Sequence, residues 1–275
     1  MKILVTGANG YLGSGIVKDI LDNGNEVIAT DFHTDRVDER AKRIDCNLFD
    51  IADPFNYFGQ PDAVLHLAWR DGFSHYSSAH IDDLPKHYQF IQKLAESGIK
   101  RIAVMGSMHE VGFFEGSINE NTPCNPVTPY GIGKNALREL VSEMCLKYNI
   151  KFQWLRGYYI VGDTAYGNSI FSKLYASAQD GKKDFPFTTG QNQYDFLDYK
   201  DFCYYVASAV SQDKICGIIE IASGHPEKLA DRVEAFIREN DLDIKLKYGA
   251  FPDRPYDSKA IWENDTKIKK IIADS

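Results

Sequence analysis

Tyr130 and Lys134 stand four residues apart in the run Pro126-Val127-Thr128-Pro129-Tyr130-Gly131-Ile132-Gly133-Lys134. On a helix that spacing places both side chains on one face. An ammonium beside a phenol favours the phenolate and draws the tyrosine pKa toward working pH. A phenol tuned in this way can take a proton from a carbinol oxygen or return one to it. Ser107 lies just past a predicted strand at residues 101–105, where a hydroxyl can bond the same oxygen. The three residues point to acid–base chemistry at an alcohol or ketone. The plain alternative for Tyr130 and Lys134 is a surface pair on an amphipathic helix.

A second cluster binds rather than reacts. Gly7-Ala8-Asn9-Gly10-Tyr11-Leu12-Gly13 has the spacing G-x-x-G-x-x-G. It follows an apolar run at residues 2–6 and opens a helix marked by Leu12, Ile16, Val17, Ile20 and Leu21. Glycines there allow a tight turn, a close backbone approach to a pyrophosphate, and close helix–strand packing. The helix N-terminus adds free N–H groups and partial positive charge. Asp31 ends a strand predicted over 26–31, where a carboxylate accepts from ribose hydroxyls and repels a 2′-phosphate. The pattern predicts NAD as cofactor. Arg36 lies close in sequence and keeps NADP as the lesser alternative.

The elements that must position these groups alternate along the chain. Strands are predicted at 2–6, 26–31, 62–68, 101–105 and 151–156, with helices between them at 79–97 and 128–148. That alternation predicts an α/β fold, a Rossmann-type doubly wound parallel sheet of about six or seven strands. Beyond residue 160 the period loosens, with a short strand at 216–221 and a helix at 226–240. Residues 1–160 are expected to form the NAD-binding domain. Residues 161–275 are expected to form a small C-terminal substrate-binding lobe partly interleaved with the sheet.

Composition narrows the function classes. The 275 residues carry a net charge of -8, with 44% hydrophobic and 25% charged residues. An acidic chain gains nothing from phosphate-backbone electrostatics, so nucleic acid is not an expected partner. The cysteines Cys46, Cys124, Cys145, Cys203 and Cys216 are odd in number and form no C-x-x-C pair. No disulfide framework and no metal site are expected, and a cytoplasmic location is. The N-terminal apolar run is too short for a signal peptide, and no stretch is long enough for a membrane span.

These motifs, with His66-Leu67-Ala68, Gly106-Ser107, Glu110-Val111-Gly112, Leu155-Arg156 and Asp195-Phe196-Leu197-Asp198, resemble the extended short-chain dehydrogenase/reductase family in its NAD-dependent epimerase/dehydratase branch. The resemblance covers essentially the whole chain. It implies Tyr130 as the acid/base, Lys134 as the group that tunes it and binds the nicotinamide ribose, and Ser107 as the group that polarises the substrate oxygen. It places Asn9, Tyr11, Leu12 and Phe32 with the glycines and Asp31 around the cofactor, Asn47 and Leu48 at the adenine, and Leu67, Ala68 and Trp69 along the dinucleotide. It implies hydride transfer at a carbinol or ketone carbon of a nucleotide-activated sugar, as a 4-epimerase or 4-ketoreductase. A homodimer through the long helices is expected. The reading from another class is a dinucleotide-sensing protein without turnover.

The departures bear on the substrate. Family members acting on UDP-sugars commonly carry Asn three positions after the Arg of the sixth strand, and Tyr159 takes that place. The Arg expected before Asp-Phe is Tyr194. Both changes remove diphosphate contacts, which Arg254 can replace with a bidentate clamp. Met108-His109 stand where a dehydratase has Asp-Glu. Gly106-Ser107-x-x-Glu110 is therefore closer to the reductases and epimerases. His109 with Glu110 is read either as a second acid/base set or as a polar loop. Arg70 is a further candidate for contact with substrate.

Overall fold

The computed structural model describes residues 1–162, 169–253 and 258–274. Ile3, Leu4 and Val5 have no exposed surface, as a central strand covered on both faces requires. That strand is β1 (Lys2–Thr6), followed by α1 (Tyr11–Asp22), β2 (Glu26–Asp31), β3 (Lys42–Asp45), α2 (Pro54–Tyr57) and β4 (Ala63–His66). Next come α3 (Ala79–Asp82), α4 (Leu84–Glu96), β5 (Arg101–Ser107), β6 (Gly116–Ile118), α5 (Pro129–Tyr148), β7 (Lys151–Gly157) and β8 (Tyr159–Val161). The second half holds α6 (Ile170–Gln179), β9 (Asp184–Pro186), β10 (Gln193–Asp198), α7 (Tyr199–Ser211) and β11 (Gly217–Ile221). It ends with β12 (Pro226–Lys228), α8 (Leu229–Glu239), β13 (Lys245–Lys247), β14 (Ala260–Glu263) and α9 (Thr266–Ala273).

Seven strands form one sheet in the order β11-β7-β5-β4-β1-β2-β3, and every neighbouring pair is parallel. From β1 the chain winds outward through β2 and β3, then returns to the other side of β1 with β4. The order reverses between β1 and β4, so a crevice opens at their C-terminal ends. Ile16, Val17 and Ile20 of α1, Phe202 and Val206 of α7, and Ile268 of α9 cover one face. Phe90, Ile91 and Leu94 of α4, with Leu137 and Val141 of α5, cover the other.

The single helix expected at 79–97 is two. α3 stops at Asp82 and α4 restarts with Pro85 in its first turn, where a missing N–H costs nothing. Residues 163–194, aperiodic in sequence, contain α6, β9 and the start of β10, and residues 163–168 lie outside the described part. A second sheet runs β12-β10-β14-β6, with β8 on β10, around Phe171, Phe187, Phe196, Phe236 and Ile261. β6 leaves the first half of the chain to join this sheet, and β11 returns from the second half to edge the larger one.

Candidate active site

The glycine loop sits at the mouth of the crevice. A Cβ on Gly13 would lie 2.2 Å from the Gly7 carbonyl oxygen and 2.7 Å from that of Ala8, so α1 can start this close to β1 only with glycine there. Gly10 caps α1 without a side-chain hydrogen bond, which leaves the first-turn N–H groups facing outward. Asp31 stands at the rim, its carboxylate accepting from Asn9 N at 3.1 Å and Phe32 N at 2.8 Å. The Asn9 side chain ties this loop to the next, donating to Asp35 at 3.0 Å and accepting from Arg36 N at 2.8 Å. Leu67 N and Ala68 N bond Thr6, so the end of β4 runs along the end of β1. Asn47 caps the 3-10 turn at Leu48–Asp50, and Leu48 is buried. The cradle, the carboxylate at its rim and the uncapped helix start fit a dinucleotide.

Tyr130 is set between two backbone segments. Thr128 caps α5 by accepting from Gly131 N, and Tyr130 N donates to the His75 carbonyl at 3.1 Å. A Cβ on Gly131 would fall 2.2 Å from the His109 carbonyl oxygen, so this glycine lets α5 press against the 3-10 turn that follows β5. The phenol then lies among aromatic rings. His75 stacks on it at 5.2 Å and 9°, while His80 at 5.2 Å, His109 at 5.7 Å and Trp69 at 6.4 Å meet it edge-on. Burial pushes the Tyr130 phenol up to about 12, and a hydrogen bond from Ser107 opposes that shift.

Lys134, expected to tune the phenol, is buried. Its ammonium donates to the Met105 carbonyl at 2.8 Å and lies 4.0 Å from the centroid of the Trp69 ring. Burial brings Lys134 down to about 7, with Glu110 opposing. Burial is the largest influence on the Tyr130 phenol, with the Ser107 hydrogen bond opposing it.

Glu110 does not face the cleft. It has no exposed surface and accepts from Ser107 N at 2.6 Å, Trp154 Nε1 at 2.8 Å and Arg156 Nε at 3.4 Å. Arg156 also reaches Glu220 at 2.9 Å, and Glu220 accepts from the Tyr158 hydroxyl at 2.7 Å. Burial raises the Glu110 carboxyl above its usual range, against the pull of Arg156. Glu110 thus belongs to a buried network behind Ser107.

The other candidates are distributed. Arg70 is engaged with Asp83 at 2.8 Å. His109 stands 4.2 Å from His75, beside Tyr130. Tyr159 and Tyr194 stack on each other at 4.3 Å, and Tyr194 is buried. Tyr11 packs against Tyr199 at 4.7 Å, and its carbonyl accepts from the Tyr199 hydroxyl. Arg254 lies outside the described residues. A cleft of about 550 Å³ lined by Thr189, Gln191, Ala230, Tyr248 and Gly249 contains none of the residues singled out from sequence.

Sequence reasoning missed a histidine array. The His66 ring bonds Thr6 at 2.8 Å and His87 at 2.9 Å, and His87 stacks on Trp69 at 4.6 Å. Trp69 Nε1 donates to His80 Nδ1 at 3.0 Å. Five of the seven histidines fall between residues 66 and 109, and that density was the available signal. Among the described residues no group of three or more His, Cys, Asp or Glu is placed to hold a metal ion. No described helix is long and apolar enough to cross a membrane.

Geometry of this kind defines a nucleotide-dependent oxidoreductase class, and the comparisons with known proteins agree. Residues 3–222 match the model of the NAD dependent epimerase/dehydratase family, and the chain belongs to that family. It is 41% identical over 268 residues to a dTDP-6-deoxy-L-talose 4-dehydrogenase (NAD(+)) of Aggregatibacter actinomycetemcomitans, covering 95% of this chain and 99% of that one. It is 22% identical to a UDP-glucose 4-epimerase of Lactobacillus helveticus, covering 99% and 91%. Among solved structures, a UDP-glucuronic acid 4-epimerase from Bacillus cereus in complex with UDP-glucuronic acid and NAD superposes with a TM-score of 0.80. That pair is 21% identical, with 100% of this chain and 94% of the other covered. A UDP-glucose 4-epimerase from Thermotoga maritima gives 0.82 at 20% identity, covering 98% and 92%.

Proposed function

We propose that the protein is an NAD-dependent oxidoreductase acting at C4 of a nucleotide-activated sugar, working as a 4-ketoreductase or 4-dehydrogenase on a dTDP-6-deoxyhexose. The observation that carries this reading is the placement of the Tyr130 phenol, hydrogen-bonded by Ser107 and set among the rings of His75, His80 and His109. At neutral pH such a phenol is a proton donor. It delivers a proton to the C4 oxygen as a ketone becomes an alcohol, and in the reverse direction its phenolate takes one from the alcohol. The relative that is 41% identical over nearly both whole chains is named as a 4-dehydrogenase of a dTDP-6-deoxy sugar, which supports both reaction and substrate class.

The roles of the chain's own residues follow. Gly7, Gly10 and Gly13, with the first N–H groups of α1, hold the pyrophosphate, and Asp31 holds the adenosine ribose. Bound NAD supplies or accepts the hydride. Ser107 orients the substrate oxygen toward Tyr130. Lys134 binds the nicotinamide ribose and offsets negative charge on the phenol. Residues 161–275 form the sugar-nucleotide side of the cleft. Ile132 and Leu140 are exposed on the outer face of α5 and support a homodimer through that helix. Five free cysteines support a reducing cytoplasm.

The test is a substrate panel. The purified protein is incubated with dTDP-4-keto-6-deoxyhexoses and NADH, with dTDP-6-deoxyhexoses and NAD, and with UDP-glucose. Net NADH turnover on the dTDP sugars is expected. Interconversion of C4 epimers without net NADH change would overturn the reading in favour of an epimerase. Binding of NAD with no turnover on any of them would return it to a dinucleotide sensor.

A further inference from the structure

Lys134 is a buried cation whose partners are unusual. It is 3% exposed and forms no ion pair with a carboxylate among the described residues. The nearest acid acting on it is Glu110, and that carboxylate is already taken by Ser107 N, Trp154 and Arg156. The ammonium instead meets one carbonyl, that of Met105, and one π face, that of Trp69. A desolvated ammonium over an indole face is among the stronger cation–π arrangements.

The indole is fixed from two sides. Its N–H donates to His80 Nδ1, so His80 carries its proton on Nε2 and donates to the Ser74 carbonyl at 3.0 Å. His87 stacks on the indole at 15°, and His87 is itself bonded to His66 and through it to Thr6 at the end of β1. The loop after β4, α3, α4 and β1 thus converge on one ring. The charged and titratable groups facing Lys134 are Glu110 from the turn after β5, His66 from β4 and His87 from α4. Both histidines are held neutral by burial, with the Lys134 charge adding to that effect, so neither offers it a counter-charge.

We propose that Trp69 is a positioning residue for Lys134: its indole face, locked by His80 and His87, keeps the ammonium charged and in place within a site that gives it no carboxylate of its own. The inference rests on the reading that Lys134 binds the nicotinamide ribose. Burial, opposed by Glu110, brings Lys134 to about 7, so loss of the π face is felt within the working pH range.

The experiment is calorimetric titration of NAD into wild type, Trp69→Leu, Trp69→Phe and Lys134→Met between about pH 6 and 9, with a melting curve for each. In wild type, affinity falls as Lys134 loses its proton. Trp69→Leu is expected to move that midpoint down by about one pH unit, a tenfold change in the charged fraction. Trp69→Phe keeps a π face but loses the N–H, so its midpoint should stay close to wild type. Lys134→Met should show no such limb. If Trp69→Leu does not fold, Trp69→Met fills the volume without a π face and takes its place. An unmoved midpoint in the face-less variant, with Lys134→Met flat, overturns the proposal alone. A limb that persists in Lys134→Met overturns the underlying reading of Lys134.

Discussion

Replacing Glu110 separates the two roles its neighbours suggest, acid/base for the reaction or keystone of a buried network. Glu110→Ala orphans two buried neutral donors, Ser107 N and Trp154 Nε1, at about 1–3 kcal/mol each. It also takes one of two carboxylates from the fully buried Arg156. Breaking a buried ion pair outright costs about 3–5 kcal/mol, but Glu220 remains on that guanidinium and is the closer partner, 2.9 Å against 3.4 Å. The variant also escapes the desolvation that raises the Glu110 carboxyl. A net loss of about 4 kcal/mol results. At roughly 2–4 °C per kcal/mol for a chain of this size, the melting temperature should fall by about 10 °C. Glu110→Gln, which keeps the shape and one good acceptor, should fall less. Circular dichroism melts beside turnover on the same preparations are the assay. An unchanged melting temperature with turnover down 100-fold would refute the structural account and make Glu110 an acid in the reaction.

Tyr130→Phe removes only the ionisable oxygen; turnover should fall about 100-fold or more with NAD affinity nearly intact, and full activity would end its assignment. Ser107→Ala should lose less, since water replaces one hydrogen bond. Calorimetry should show NAD bound in preference to NADP, and Asp31→Ala should narrow that preference; tighter NADP binding by wild type would contradict it. Burial holds His87 at about 3 against an ordinary 6.5, so the folded state keeps it neutral while the unfolded chain takes up the proton. Its contribution is complete above about pH 6.5 and is lost as pH falls toward 3, by about 1.4 kcal/mol per unit. Between pH 7 and 5, unfolding free energy should decline about 2 kcal/mol less in His87→Gln than in wild type, and parallel curves would disprove the assignment.

The features legible in sequence are those whose physics is local. The cradle needs glycines at fixed offsets from one strand and one helix, and Tyr130 with Lys134 needs only a helical turn. Where partners lie far apart in the chain, spacing is silent. Glu110 and Arg156 meet across the ends of β5 and β7, and the rings around Trp69 come from α3, α4 and α5. The spacing of Tyr130 and Lys134 says they share a face but not which neighbour the ammonium chooses. Burial decides that, because a cation leaving water takes the carbonyl and the π face within reach. The short edge strand β3 reads KRID and offers no buried period, so only its pairing with β2 reveals it.

Tyr159 and Tyr194 show how two departures in sequence become one in space. Taken singly, each is a lost diphosphate contact. In the structure they stack at 4.3 Å, with Tyr194 buried and Phe196 beside Tyr159. Restoring an Asn at 159 or an Arg at 194 alone would press a polar group against an aromatic face in a packed core, where an unpaired polar atom is costly. The two aromatics therefore depend on each other for their packing. Packing thus links the two positions and makes this wall of the lobe aromatic.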